Sequence, residues 1–597
     1  MTDAVTITEN AYDNMYRIKK ATVNRQDNAI KTATEYTYDL ARVINKKCGK
    51  VVDGALVDGQ YMNTDYEYYD NGWLKQQTDD GKRTSYDYYP TSEKKIVTYP
   101  NNTETFCEYN CYNTNPGNLT VLKNHYLKKM TNRSSDSRKA TISSFEYTYD
   151  PAGQRLTMKE LRGATTYQYD NLYRLSFVKY PDLREVTYSY DKTGNRTRMY
   201  EKEWNLVRGD WDTKETLYTY DQANQHLTST CTAVTTVTST TTTSNTWDAN
   251  GNMQTKTVGA DTTTYTWDAL NRLTQIDYPT STSKVSSTMK YDGNGIRVQQ
   301  TSSSGTINYV FEGLSSVLEL DESGNITKKY HSGIFMEIPE VTGGAKNSCK
   351  QTYYYLYDGL GDVVNLTDDA GNIDQTYYYD SYGRTTNVKH DCVNKKQFTG
   401  KEIDEDSGLY YFCARYYDPE VGRFLSEDPV PYANLYVYCD NNPINKVDPD
   451  GRAGVDPYIT PDKLVKEINK NNQLNQPNPK TANRPDNSEV YRGPDPLSGS
   501  DEESASRELA VKAIEQGPGT KASMAAAALL SATEVQAVIA VEAIVIAAKV
   551  NNIVQTFDNY EKIVRINNQT AKTNIEQTNK RIAEKKQVQP LKEDEQK

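Results

Sequence analysis

The sequence predicts a mainly β protein: a sheet of serial hairpins curled around a space and followed by a helical C-terminal tail. Three observations point there. A Tyr-x-Tyr-Asp motif recurs from Tyr36 to Asp380; tyrosine, with 49 copies, far outnumbers Phe (9) and Trp (5); and the composition changes after Gly451.

The repeat is read from Tyr147-Thr-Tyr-Asp150, Tyr167-Gln-Tyr-Asp170, Tyr188-Ser-Tyr-Asp191, Tyr218-Thr-Tyr-Asp221, Tyr265-Thr-Trp-Asp268 and Tyr355-Leu-Tyr-Asp358, with an early copy at Tyr36-Thr-Tyr-Asp39. Degenerate copies stand at Trp247-Asp248 and Tyr291-Asp292. Steps of 20 and 21 residues from Asp150 to Asp170 to Asp191 mark a repeat architecture. Tyr-x-Tyr puts two rings on one face of a strand, and the Asp opens a turn whose Gly or Asn takes a positive φ. Arg-Leu or Arg-Val then starts the return strand, as in Asp150-Pro-Ala-Gly153-Gln-Arg155-Leu156; Asp170-Asn-Leu-Tyr-Arg174-Leu175 keeps the spacing without a glycine. These are hairpin signals.

A lone hairpin is unstable in water, so about a dozen must join in one sheet. Only 36% of residues are hydrophobic, and a tyrosine hydroxyl wants water or a partner, so a wet, curled sheet suits the chain better than a dense sandwich. The Thr-rich run 228–246 reads as β-branched strand.

Composition also excludes functions. A net charge of −11 with no basic stripe argues against a nucleic-acid partner for the sheet. Eight cysteines are too few for a disulfide framework, and none forms the Cys-x-x-Cys pair of a zinc site, Cys107 and Cys111 being only near neighbours. No cofactor and no metal are expected. The N-terminus has no apolar run and so no cleaved secretory signal, and it reads as the middle of a repeat. That suggests a fragment of a longer chain, or export by a route that needs no cleaved signal.

The Tyr-x-Tyr-Asp-x-x-Gly-x-Arg-Leu units resemble the YD repeats of the RHS family, which also occur in teneurins and in the C subunits of Tc toxins. The more specific likeness is Gly408-Leu-Tyr-Tyr411-Phe-Cys-Ala-Arg415-Tyr-Tyr-Asp418-Pro-Glu-Val-Gly422-Arg423-Phe424-Leu-Ser426-Glu-Asp428-Pro429, with Asn441-Asn442-Pro443 and Asp448-Pro449-Asp450-Gly451 after it. That stretch is similar to the RHS repeat-associated core domain. The resemblance implies a spiralling hollow β-shell over 1–395, closed by a core domain at 396–451. It further implies that the shell encloses a variable C-terminal segment, often a toxin, and that the core can be an autoprotease.

In cleaving relatives an Arg and two carboxylates act, and the scissile bond follows Asp-Pro-x-Gly-Leu. One acid activates water while the other protonates the amide. Arg415 and Asp428 match the catalytic Arg and one Asp; the position that the resemblance gives the partner acid holds Tyr416. The cleavage site falls at Gly451 and Arg452, where Arg452 replaces the Leu. The alternative is that Arg415, Asp418, Arg423 and Asp428 only hold turns and ion pairs in a closing plug.

Residues 452–500, rich in Asn, Pro, Lys and Gln, read as a linker. From Asp501 to Lys597 the pattern turns helical, with the acidic start Asp501-Glu-Glu503 and a stop at Gly517-Pro-Gly519. Within it, 522–550 is Ala-rich, but Glu534 and Glu542 interrupt it. A buried or self-associating helix and a membrane-contacting one are both open. No His or Cys follows Cys439, so no His-based nuclease, Cys protease or common zinc site fits the tail. Val490-Tyr-Arg-Gly493 is too short and too isolated to carry an ADP-ribosyltransferase reading.

The function these features predict is an RHS-type polymorphic toxin or its C-terminal portion, secreted or cell-surface associated. Its expected partners are its own C-terminal segment, an immunity protein and a secretion-apparatus or surface partner. Two alternatives stand: a surface- or glycan-binding Tyr-rich repeat protein, and a degenerate RHS fragment without an active payload.

Overall fold

The computed structural model describes residues 6–25, 30–40, 42–110, 126–339, 351–385, 394–430 and 432–455. The expected tail helices, the candidate membrane contact at 522–550 and all but the first four residues of the expected linker lie outside the described residues. Thirty-one strands, from Thr6–Tyr12 to Ile373–Thr376, form one sheet in which each strand runs antiparallel to the next. The Thr-rich run is a hairpin of the strands His226–Val234 and Thr238–Trp247. Among the described residues there is no α-helix, only the 3-10 turns Phe398–Gly400 and Cys439–Asn441, and no helix there is long and apolar enough to cross a membrane. The mainly β class and the chain of hairpin repeats are as the sequence predicts.

The repeated aspartate makes each turn. Asp150 Oδ1 accepts the N–H groups of Ala152 and Gln154, each at 2.8 Å, and Asp170, Asp191, Asp221, Asp248, Asp268, Asp292, Asp368 and Asp380 do the same two and four residues on. The fourth residue of the turn has positive φ. Glycine takes it at Gly153 (φ 89), whereas Tyr173 (φ 60) and Asn271 (φ 59) take it where glycine is missing. The following Arg folds back onto the second carboxylate oxygen, with Arg174 and Arg272 Nε each 2.6 Å from Asp170 and Asp268 Oδ2. An Arg four residues after the Asp thus closes the turn, whereas Arg155 and Arg297, one position later, reach the Gly359 carbonyl and Glu402 instead.

One β-bulge per repeat sits just before the second aromatic residue. The register slips between Thr148 and Tyr149, Gln168 and Tyr169, Ser189 and Tyr190, Thr219 and Tyr220, and Thr266 and Trp267. A bulge bends its strand and increases local twist, so a bulge at the same place in every repeat curls the sheet in one sense.

The second aromatic ties repeats together. Tyr149, Tyr169, Tyr190 and Tyr220 donate their hydroxyls to the carbonyls of Leu127, Arg155, Leu175 and Arg196 at 2.6–2.8 Å. Trp267 donates Nε1 to the Met253 carbonyl at 2.7 Å. In all but the first of these the acceptor is the residue that follows the preceding aspartate turn. The first ring of most motifs packs inward: Tyr147, Tyr167, Tyr188, Tyr218 and Tyr265 are all buried, whereas Tyr36 is half-buried.

Curling brings early strands back onto late ones. Lys46 pairs with Glu312 at 2.6 Å, the Ile326 N–H donates to Gln60 Oε1 at 3.1 Å, and Asn101 Nδ2 donates to Thr367 Oγ1 at 2.9 Å, each across 266 residues. Further along, Tyr180 meets Ser381 across 201 residues and Tyr190 meets Tyr382 across 192. The winding tightens as it nears the closing segment.

We predict that Tyr220→Phe, which strands the Arg196 carbonyl, costs about 1 kcal/mol locally. Hydrogen exchange should show the amides of Arg196–Asn205 opening about fivefold faster, while Tyr173→Phe, at an exposed ring, leaves them unchanged.

Candidate functional site

The segment after the spiral folds onto its inner face. Four short strands, Glu402–Ile403, Tyr410–Tyr411, Tyr416–Asp418 and Arg423–Phe424, form a separate small sheet. Its aromatic core is Phe398, Tyr410, Phe412, Tyr417, Phe424 and Tyr438. Other side chains of the segment enter the sheet's own clusters: Leu409, Tyr411, Tyr416 and Leu425 pack with Tyr265, Leu273 and Met289.

Two charged residues anchor this plug. Asp418 is buried and pairs with Lys256 at 2.8 Å; burial would raise its carboxyl, but the lysine holds it below its ordinary value. Arg423 donates to Asn195 Oδ1 at 3.1 Å and to the Asn224 carbonyl at 2.7 Å, both in turns of the sheet. Asn441 and Asn445 join in, bonding the Gly194 carbonyl and the Arg155 N–H. Asp418 and Arg423 thus tie the closing segment to strands and turns of the sheet.

Arg415 and Asp428 sit elsewhere. Arg415 is buried, its guanidinium lying over the Phe424 ring with the central carbon 3.6 Å from the ring centre. Nη2 is 2.6 Å from Asp428 Oδ2 and 3.8 Å from Asp448 Oδ2, Nη1 donates to the Leu435 carbonyl at 2.8 Å, and Nε donates to the Gly451 carbonyl at 2.5 Å. The second carboxylate at this guanidinium is Asp448. Tyr416 is not here: its buried hydroxyl accepts from Arg297 Nη1 at 3.3 Å. Sequence reasoning passed over Asp448, although it lies in the same Asp-Pro-Asp-Gly stretch that supplied the cleavage site.

The loop presented to these groups is held at several points. Val447 and Val455 exchange both backbone hydrogen bonds, at 2.8 and 2.7 Å, and so close the loop. Asp448 Oδ1 accepts the N–H groups of Gly451 at 2.8 Å, Arg452 at 3.1 Å and Ala453 at 3.3 Å. The peptide group between Gly451 and Arg452 is thereby engaged at both ends, its carbonyl by Arg415 and its N–H by Asp448. Gly451 is required here, since φ is +78° and a Cβ would lie 2.5 Å from the Phe412 carbonyl oxygen.

Burial shifts every charge in the cluster toward its neutral form. Asp428 is pushed up to about 6 by desolvation, partly offset by Arg415. Asp448 is raised for the same reason, and Arg415 is lowered. Two carboxyls raised by burial, beside a cation bonded to a peptide carbonyl, place acid–base groups and a carbonyl-polarising donor at that peptide. Cys107 offers no comparable chemistry, because burial pushes its thiol up to about 12; Cys111 lies outside the described residues.

A family model, RHS Repeat, matches residues 247–283. The chain therefore carries an RHS repeat. Among curated proteins, it is 31% identical over 319 residues to the tRNA3(Ser)-specific nuclease WapA of Bacillus spizizenii, covering 51% of this chain and 11% of that protein. It is 32% identical over 122 residues to the double-stranded DNA deaminase toxin A of Burkholderia cenocepacia, covering 19% of this chain and 8% of that one. The chain thus spans about a tenth of the length of these two relatives. Among solved structures, the Photorhabdus luminescens Tc holotoxin pore aligns with TM-score 0.48 and 17% identity, over 76% of this chain and 25% of that one.

For Gly451→Ala we expect at least about tenfold faster hydrogen exchange of the 447–455 amides, given a strained φ plus a backbone clash. Unchanged protection would mean that the loop is not seated on Phe412 and Arg415.

Proposed function

We propose that this chain acts as an RHS-type polymorphic toxin, or as its C-terminal portion: the curled sheet encloses and delivers the segment beyond the core, and the core releases that segment by cutting itself at Arg452. The carrying observation is the convergence of Arg415, Asp428 and Asp448 on the Gly451–Arg452 peptide. The relatives' names, a nuclease and a deaminase toxin, support a toxic cargo; the target of this one, its immunity protein and its secretory partner are parts of the same proposal.

The chemistry follows from the positions. Asp428, ionised above about pH 6, takes a proton from water as the water oxygen attacks the Gly451 carbonyl carbon. Arg415 Nε, already on that carbonyl oxygen, stabilises the negative charge that develops there. Asp448, whose carboxyl is raised toward its neutral form by burial, gives its proton to the Arg452 nitrogen as the C–N bond breaks. The products are a carboxyl at Gly451 and an amine at Arg452, and a single turnover needs no reset. Cleavage at the next bond, after Arg452, is within reach of the same groups, because Asp448 also holds the Ala453 N–H.

The surface-binding alternative needs exposed rings for stacking. Here the first ring of most motifs is buried, for example Tyr147 at 2% and Tyr188 at 5% exposure, which favours the enclosing reading.

Expressed alone and analysed by intact mass, the wild-type chain should split at Arg452, whereas Asp428→Asn and Asp448→Asn should each stay whole. Full-length wild type with a protected 447–455 loop would defeat the autoprotease reading and leave a plug. Where cleavage is slow enough to time, its rate should fall about tenfold from pH 7 to pH 5, as Asp428 gains a proton through about pH 6. A rate that rises on acidification would assign Asp428 the opposite role.

A further inference from the structure

Away from the closing segment, one buried cluster joins two windings of the sheet. Asp79 and Asp80 lie at the turn between the strands Leu74–Asp79 and Lys82–Tyr88, while His331 and Glu337 flank the turn between Ile326–His331 and Phe335–Ile338. His331 is fully buried, and neither ring nitrogen has a hydrogen-bond partner. Its Nε2 is 3.6 Å from Glu337 Oε2 and its Nδ1 is 3.8 Å from Asp79 Oδ1. These separations are too long for hydrogen bonds.

The Nε2–Glu337 separation is instead close to the spacing of two ligands on one ion. Metal–ligand bonds of about 2.0–2.2 Å place neighbouring ligand atoms roughly 3.3–3.6 Å apart around a tetrahedral centre. One oxygen each from Asp80 and Glu337 and one nitrogen of His331 lie within 4.8 Å of one another, a gap that small side-chain rotations close. The ring is oriented by stacking on Phe335, with centres 4.1 Å apart. Asp79, fixed by Thr64 and Gln77 at 2.6 Å each, stands behind the other ring nitrogen as an orienting carboxylate does at a histidine–metal site.

The surrounding charge is balanced to take a cation. Lys329 is 2.6 Å from Asp80 Oδ2, and Lys82, which also pairs with Asp369 at 2.7 Å, is 4.0 Å from Glu337 Oε1. Four carboxylates against two lysines leave a local deficit of positive charge. An imidazolium could meet part of it, and the carboxylates do raise His331 against the effect of its burial. A proton, however, leaves both N···O gaps open, whereas an ion fills one. Asp80 is the partly exposed member, so the ion has a way in.

We infer that Asp80, His331 and Glu337 hold a divalent transition-metal ion, with zinc suited to this nitrogen and carboxylate set, and that the ion staples two windings of the sheet. The role is structural. No local sequence spacing announces it, because Asp80 and His331 come from windings far apart in the chain.

The test uses the tag-free full-length chain, stripped with chelator, reloaded with one equivalent of zinc chloride and gel-filtered. About one zinc per chain is expected by elemental analysis, with cobalt giving the visible bands of a low-symmetry site. His331→Ala should weaken zinc binding about a hundredfold, and Asp80→Asn, at the exposed edge where misfolding is least of a concern, at least about tenfold. Chelator should lower the Tm of wild type but not that of His331→Ala. Zinc-free wild type, or zinc retained equally by both variants, would overturn the inference and leave His331 as an imidazolium between carboxylates.

Discussion

An aspartate that accepts two backbone N–H groups at every turn is the constraint on which this fold rests. Asp170 and Asp268 show the complete form, in which the carboxylate gathers the turn's amides and the following arginine closes over it. Once the turn has that geometry, the chain re-enters its neighbour one residue out of step, and a bulge results. A bulge at the same place in repeat after repeat bends the sheet the same way each time. The spiral is therefore a local property summed along the chain, and no long-range instruction is needed to start it.

The tyrosines answer a second demand, that of building an interior with few aliphatic side chains. In most motifs one ring is buried, while the other passes its hydroxyl or indole N–H back to the carbonyl of an earlier strand. An aromatic residue with a polar tip can thus fill volume and satisfy a buried backbone group together. The closing segment extends this chemistry, adding its own aromatic cluster and reaching the sheet through Asp418, Arg423 and a series of asparagines. Lys256 and Arg297 of the sheet neutralise the segment's buried Asp418 and Glu402.

What the sequence disclosed follows the reach of each interaction. The hairpins were legible because Asp, Gly and Arg act within five residues, and even the glycine-free turn at Asp170 forms, Tyr173 taking the positive φ. Arg415, Asp428 and the Gly451–Arg452 peptide were legible through family resemblance, and the fold brings them within bonding distance. Asp448 was missed as an acid because sequence spacing cannot show which carboxylate folds back onto Arg415; adjacency in sequence pointed to Tyr416, which faces Arg297 instead. The cluster around His331 was invisible for a related reason, since its members come from different windings and none carries a local pattern.

The whole account turns on the claim that repeats far apart in the chain lie side by side because the sheet winds on itself. Zero-length carbodiimide cross-linking of the native chain, mapped by mass spectrometry, tests that most directly. Lys82 and Asp369 are 2.7 Å apart, and Lys46 and Glu312 are 2.6 Å apart. The winding predicts cross-linked peptides joining both pairs. Cross-links confined to adjacent strands, such as Lys179 with Glu185, would contradict it and leave an open ribbon of hairpins.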